Sequence, residues 1–325
     1  MKLSYKIIQE LHPDVPFNFD ATFYKPAHFP SGDNTWKSGT RWQTFRFAGK
    51  NLGVIFKNTG STNNPTIRVE IYSSRKLSED LVITFLNEIK YRYNLDLDVM
   101  DFYKRFTTDI IVGPAIKRLY GMRPGHQDSL YEYLIIGIVL QNCTVARSIQ
   151  MMQILFEKYG TQVKYAGKKL WCFWEPGGLK NVSENELRDL KLGYRAKSIK
   201  KIDDQFVNGK MDEIALRRED VETQKKELLK LFGVGPATVW YLLFDVFHQY
   251  DFLSLISPWE QKIYSKLFFH RDSELSVPVA KLIAYFKRFK PYQQLAVNYV
   301  WEDLWWQHKK KPIPWLKKEI RNGAI

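Results

Sequence analysis

Apolar and polar residues alternate with a period near two in three short stretches early in the chain. These are TFRFAG (44–49), NLGVIFKN (51–58) and TIRVEIYS (66–73). A period of two sends successive side chains to opposite faces of a pleated strand, so each stretch reads as a strand with one face buried. Clusters of Gly, Asn and Pro separate them, and SGDNTWKSGT (31–40) and TGSTNNPT (59–66) read as hairpin loops. Strand character is expected from about Phe17 to Tyr72. After Ser78, which reads as a helix N-cap, the apolar spacing changes to that of a helix. LSEDLVITFLNEIKYRY (77–93), Leu130–Val139, Ala146–Tyr159 and Val279–Phe289 all carry it. No internal repeat or low-complexity linker interrupts the chain. Strands first and helices afterwards is an α+β pattern, with an antiparallel β-rich N-terminal part.

Composition adds a partner to this picture. The chain has 325 residues, a length that implies two domains or one large one. Apolar residues make up 45% and charged residues 26%, the balance of a soluble protein with a full core. The 49 Lys+Arg against 35 Asp+Glu leave a net charge of +14. This surplus suits a polyanionic partner, either nucleic acid or an acidic membrane surface, and with 15% aromatics it suits holding phosphates and stacking on bases. The plainer reading of composition alone is a basic soluble enzyme with a solvated Lys-rich surface.

Other classes are disfavoured. Cys143 and Cys172 are the only cysteines, so one chain builds neither a disulfide framework nor a four-thiolate metal site. The six histidines form no ligand pair at helical or finger spacing, and no metal or cofactor is expected. The start lacks an apolar stretch of signal-peptide length, and the longest apolar run, 133–140, is too short to span a bilayer. A soluble, cytoplasmic monomer with no membrane partner is expected.

The most informative stretch is KKELLKLFGVGPATVWYLL (225–243), which reads as helix, tight turn at Gly233 and Gly235, and second helix with Pro236 at its start. A nucleotide-cofactor glycine loop does not fit, because a helix precedes the glycines and the third glycine is missing. A helix-hairpin-helix fits, with backbone N–H groups at a helix start offered to one DNA phosphate. Taken alone, Gly-x-Gly between helices is as often a plain turn.

Further motifs stand in order around it: IVLQNCTVAR (138–147), LKLGYRAK (190–197), PWEQKIYSKL (258–267) and KPY (290–292) before an aromatic helix ending near Trp301. Together they resemble the helix-hairpin-helix DNA glycosylase superfamily, in its 8-oxoguanine DNA glycosylase and 3-methyladenine DNA glycosylase II branches. The resemblance spans about Ser78 to Trp306. It implies a β-rich domain (1–77) followed by a two-lobed helical core: one lobe from 78–128 plus 246–325, and a barrel (129–245) ending in the hairpin. It also implies binding of double-stranded DNA carrying a modified base. Tyr194 would wedge beside the extruded nucleotide, Arg147 and Arg195 would bond the estranged base, and Asn142, with Gln141 nearby, would fill the gap. Chemistry on a duplex base requires such extrusion. Gly233 and Gly235 would hold the phosphate. Ala237, Trp240, Tyr241, Trp259 and Trp301 would line the base pocket.

Two departures matter more than the matches. Bifunctional members place a nucleophilic Lys where this chain has Ala237, and most members place an Asp where it has Ser257. Asp251, Ser257 and Glu260 are the candidate catalytic positions, with Asp245 a weaker fourth. Ser257-Pro-Trp-Glu260 is also a helix capping box, which gives Glu260 a sufficient structural role. The expected reaction is hydrolysis of an N-glycosidic bond to leave an abasic site, without a Schiff base. Small residues at 237 and 257 would open room for a bulky base, such as a glucosylated hydroxymethyl-cytosine of phage DNA, which would make the protein an antiviral defence enzyme. The alternatives are repair of alkylated or oxidised bases, and an inactive protein that only binds modified bases.

Overall fold

The alternating stretches become neighbouring strands. In the computed structural model, which describes residues 1–322, β1 (Tyr5–Leu11), β2 (Asn34–Lys37), β3 (Thr40–Phe47), β4 (Lys50–Asn58) and β5 (Ile67–Ser73) form one sheet. Its order is β1-β5-β4-β3-β2 and every neighbouring pair is antiparallel. β1 starts before the strand region expected from the pattern, and β2 lies inside an expected loop. Both are edge strands with mostly exposed or half-buried side chains, so the ladder holds them and no alternation marks them. The expected strand region also contains a short helix, Phe19–Phe23, capped by the Asn18 side chain, which accepts from the Ala21 N–H at 3.1 Å.

Ser78 caps α1 (Glu79–Arg92) as its spacing implies. The sequence division at residue 77 assigns this helix to a helical lobe. In the structure it buries Val82, Phe85 and Ile89 against the sheet, in one core with Phe23, Phe45 and Phe56.

A hairpin, β6 (Thr161–Tyr165) and β7 (Lys168–Cys172), interrupts the stretch expected to be helical. It covers the other face of the sheet, where Val163 and Tyr165 meet Leu3 and Ile55. With both its faces covered, β4 carries the unbroken run Val54-Ile55-Phe56. Gly53 is required here: a Cβ at that position would stand 2.5 Å from the Tyr165 ring.

The remaining helices that matter for the site are α2 (Leu130–Leu140), α3 (Val145–Tyr159), α4 (Arg195–Val207), α5 (Val221–Leu228), α6 (Pro236–Asp245), α7 (Pro258–Phe269) and α8 (Gln293–Lys310). They divide between two hydrophobic cores. One gathers residues from Leu130 to Phe247, and the other joins the segment around Phe102 to α7 and α8. Trp240 of α6 belongs to the second core while Val239 and Leu243 belong to the first, so α6 runs along the boundary. No helix among the described residues is long and apolar enough to cross a membrane.

Candidate functional site

The Gly-Val-Gly element is a tight turn between α5 and α6. Gly233 sits at φ +77°, in the left-handed region that a side chain disfavours. Gln205 of α4 braces the turn, accepting from the Phe232 N–H at 2.8 Å and donating to the Lys230 carbonyl at 3.1 Å. Gly235 is the N-cap of α6, with Pro236 following, and no side chain caps that end. The first-turn N–H groups therefore point outward at the positive end of the helix dipole, which is the arrangement that binds an anion. Gly235 has an ordinary φ of −102°, and a Cβ there would meet no atom within 4 Å. The backbone does not need glycine at 235, whereas close approach of an external group would.

A second cluster forms where the end of α2 meets the start of α4. Asn142, at φ +48°, donates from Nδ2 to the Tyr194 hydroxyl at 3.2 Å, and that hydroxyl donates to the Gln141 carbonyl at 3.4 Å. The Arg195 guanidinium also donates to the Gln141 carbonyl and lies 4.7 Å from the centre of the Tyr194 ring. Tyr194 is half exposed, at 50%. Arg147 is half-buried and donates to the Lys191 carbonyl at 2.7 Å. The structure thus brings Gln141, Asn142, Arg147, Tyr194 and Arg195 together from segments about fifty residues apart. Arg195 is buried, however, and its bond to the Gln141 carbonyl braces the 141–142 turn, whereas Tyr194 presents free surface.

Beside this cluster opens a cavity of about 460 Å³. All five residues assigned to a pocket by sequence, Ala237, Trp240, Tyr241, Trp259 and Trp301, are on its wall, and Gln141 lines it too. Trp259 and Trp301 meet edge to face at 5.2 Å, and Trp240 and Tyr241 at 4.6 Å. The three positions considered for catalysis separate. Glu260 lines the cavity, buried on α7. Its carboxylate accepts from the Ser257 N–H at 2.9 Å and completes the capping box. Burial pushes the Glu260 carboxyl above the usual range, against hydrogen bonds from Ser257, Tyr241 and Tyr264. Ser257 is consumed as the N-cap and is not on the cavity wall. Asp251 is exposed, accepts from the Gln293 side chain at 2.9 Å, and lies off the wall as well.

Sequence reading missed the far end of the cavity. There His28, His126, Asp128 and Glu302 join Asp245, which the reading had ranked last. His126 Nδ1 lies 3.0 Å from Asp128 Oδ2, and the His28 ring stacks over His126 at 5.1 Å. The Tyr133 hydroxyl donates to Asp245 at 2.6 Å. Burial, with Asp245 adding repulsion against the pull of Lys25, raises Glu302 to about 7. Burial likewise raises Asp245, although His126 and Tyr133 oppose it. Burial pulls His126 down, but the charge and hydrogen bond of Asp128 together with Asp245 raise it, and His28 goes down through burial and the neighbouring His126. These residues come from separated segments, and a lone His or Glu in such a segment carries no local signal.

A 3-methyladenine DNA-glycosylase from Archaeoglobus fulgidus superposes with a TM-score of 0.72, covering 93% of this chain and 99% of that one at 14% identity. It has the fold of the helix-hairpin-helix DNA glycosylases. An 8-oxoguanine glycosylase/lyase from Clostridium acetobutylicum superposes on the same fold with a TM-score of 0.67, again covering 93% of this chain and 99% of that one, at 20% identity. In sequence, a DNA-3-methyladenine glycosylase of Bacillus subtilis is 24% identical over 182 residues, which is 51% of this chain. The chain spans 60% of the length of that curated relative. No protein-family profile matches the chain. The superpositions cover the sheet as well as the helices, so the N-terminal β-rich part belongs to the shared glycosylase fold.

Proposed function

We propose that the protein is a DNA glycosylase that extrudes a modified base from duplex DNA and hydrolyses its N-glycosidic bond, leaving an abasic site. The observation that carries this reading is a juxtaposition. An uncapped hairpin helix end, an exposed Tyr194–Asn142 pair and an aromatic-walled cavity stand together around the N-terminal half of α6. Phosphate anchoring, gap filling and base capture are the tasks that base flipping requires. The net charge of +14 supplies the duplex affinity, which should fall steeply with salt.

Ala237 has no amine, so the reaction is hydrolytic and monofunctional. Glu260 is the carboxylate best placed to steady the developing positive charge on the sugar or to orient water, because it alone of the three candidate positions lines the cavity. The cavity also favours a base bulkier than 8-oxoguanine or 3-methyladenine. Ala237 leaves the mouth open, and the flat faces of Trp259, Trp301 and Tyr241 can pack on the C–H faces of a sugar. Glucosylated hydroxymethyl-cytosine of phage DNA is the concrete substrate, and its excision would be an antiviral activity. Repair of alkylated or oxidised bases is the alternative outcome. A second reading, a protein that binds a modified base without cleaving, draws its support from Ala237 and Ser257 at the positions of the usual Lys and Asp.

The test is to incubate purified protein with glucosylated phage DNA, its unglucosylated counterpart, and alkylated and oxidised DNA, and to assay each for abasic sites with and without borohydride. Abasic sites in glucosylated DNA, with no trapped adduct, are expected. Sites only in alkylated or oxidised DNA would replace the substrate, a trapped adduct would overturn hydrolysis, and tight binding with no abasic site anywhere would leave the binding protein.

A further inference from the structure

Along α6 the two ends of the cavity wall differ in chemistry. Ala237, Tyr241 and Asp245 follow one another at intervals of four residues on α6, and all three line it. Ala237 is next to the hairpin and shares the wall with Gln141, at the end where the nucleotide enters. Asp245 is eight residues further on, about 12 Å along the helix axis. A carboxylate at that depth is out of reach of the sugar carbon at the mouth, so Asp245 is not placed to assist bond cleavage.

What surrounds Asp245 is polar and built. Its carboxylate takes the Tyr133 hydroxyl at 2.6 Å, the His126–Asp128 pair and the stacked His28 ring line the same end, and Glu302 faces it from α8. Lys25, itself buried, donates to the carbonyls of Ala21 and Arg123 at 2.9 and 3.1 Å and adds a positive charge near both carboxylates. On α8, residues 294, 298 and 302 are spaced by four and form one stripe along the wall. Each carries a buried oxygen with no hydrogen-bond partner: Gln294 Oε1, Asn298 Oδ1 and Glu302 Oε2. The indole N–H groups of Trp240 and Trp259, on the same cavity, are also unpartnered. Buried polar atoms are normally paired, so unpaired acceptors and donors on residues that share one cavity wall point to a ligand that offers both.

We propose that this far end is a subsite for a neutral, polyhydroxylated substituent on the extruded base, with Asp245, Asn298 and Glu302 as its specificity-determining residues. The inference rests on the base-flipping reading above and goes further by assigning the groups that hold the substituent. Hydroxyl groups both donate and accept, which matches acceptors on α8 and donors on the indoles. Charge argues against a cationic alkylated base as the occupant. Lys25 and His126 already stand among the carboxylates, and burial holds Glu302 and Asp245 toward their protonated forms. Among the described residues no group of three or more His, Cys, Asp or Glu is arranged to hold a metal ion.

The test uses binding, which does not depend on turnover. Duplexes would carry one 2′-fluoro nucleotide, resistant to hydrolysis, bearing either glucosylated or plain hydroxymethyl-cytosine, and a third duplex a tetrahydrofuran abasic analogue. The wild-type protein should bind the glucosylated duplex at least about tenfold tighter than the plain one. Asp245→Asn and, at a site that disturbs no bond to another residue, Asn298→Ala should each remove most of that gap while leaving the tetrahydrofuran duplex bound within about twofold. Equal wild-type affinity for the two modified duplexes overturns the subsite, and so does an unchanged gap in both variants. Should the wild-type protein fail to prefer the tetrahydrofuran duplex over plain DNA, the base-flipping reading itself falls.

Discussion

The mouth and the far end of the cavity are built in opposite ways. The mouth is made by two short motifs, 141–147 and 190–195, whose side chains bond each other and the facing backbone carbonyls of Gln141 and Lys191. The far end is made by single residues from the loop at 28, the loop at 126–128, and helices α2, α6 and α8, all turned inward. A mouth that must open any duplex is served by general tools: an aromatic ring to stack and an amide to fill. An interior that must choose one base is served by hydrogen-bonding groups fixed by the packing of separate elements. On the proposed reading, opening belongs to the first region and choice to the second.

That comparison can be broken at either end. The largest effect is expected from Ala237→Trp, which fills the cavity at its entrance. Release of a bulky base should fall by more than about a hundredfold in single-turnover assays, while binding to plain duplex stays within twofold. Loss of both together would mean that the residue supports the fold and not the passage of the base.

Tyr194→Ala should weaken binding to a tetrahydrofuran duplex by about tenfold, since base–aromatic stacking is worth about 1–3 kcal/mol. Plain duplex should be affected less, and equal losses on the two would remove the wedge role.

Gly235→Ala separates contact from conformation. With φ at −102° and open space around a Cβ, the melting temperature should not move, yet DNA affinity should drop several-fold as the methyl group stands before the phosphate. Gly233→Ala, at φ +77°, should instead cost about 1–2 kcal/mol of stability. A cold Gly235→Ala, with binding intact, would place the phosphate elsewhere.

The smallest effect concerns pH and sharpens the picture of the far end. Glu302 is raised from the ordinary carboxylate value to about 7, so the protonated form is favoured in the folded state. Its contribution to stability is complete below the unfolded value near 4.5 and is lost as pH rises through about 7. Glu302→Gln should therefore flatten the decline in melting temperature between pH 5 and pH 8. An unaltered slope would mean that Glu302 is ionised throughout, paired with Lys25.

How far all this could be read from the chain follows the same division. The strands β3, β4 and β5, the Ser78 and Ser257 caps, the hairpin and the five pocket residues were legible, because each is a local pattern or part of a contiguous motif. The β6–β7 hairpin was hidden inside a helical stretch, since its five-residue strands derive their order from packing on the sheet through Tyr165 and Gly53. His28, His126 and Glu302 were illegible for a stronger reason. Each is an isolated polar residue whose partners lie far away in sequence, and only the fold reveals that they share a wall with Asp245. Sequence placed Glu260 and Asp251 on equal terms; the structure separates them, one on the wall and one at the surface beside Gln293.

In the proposed reaction the mouth admits a substituted base whole, the glycosidic bond to DNA is cut there, and the substituent stays on the base. Mass spectrometry of the small molecules released from glucosylated phage DNA tests this most directly. Free glucosylated hydroxymethyl-cytosine, base and sugar still joined, is expected in amounts equal to the abasic sites formed. Release of glucose alone, or of unsubstituted bases from the same DNA, would contradict it.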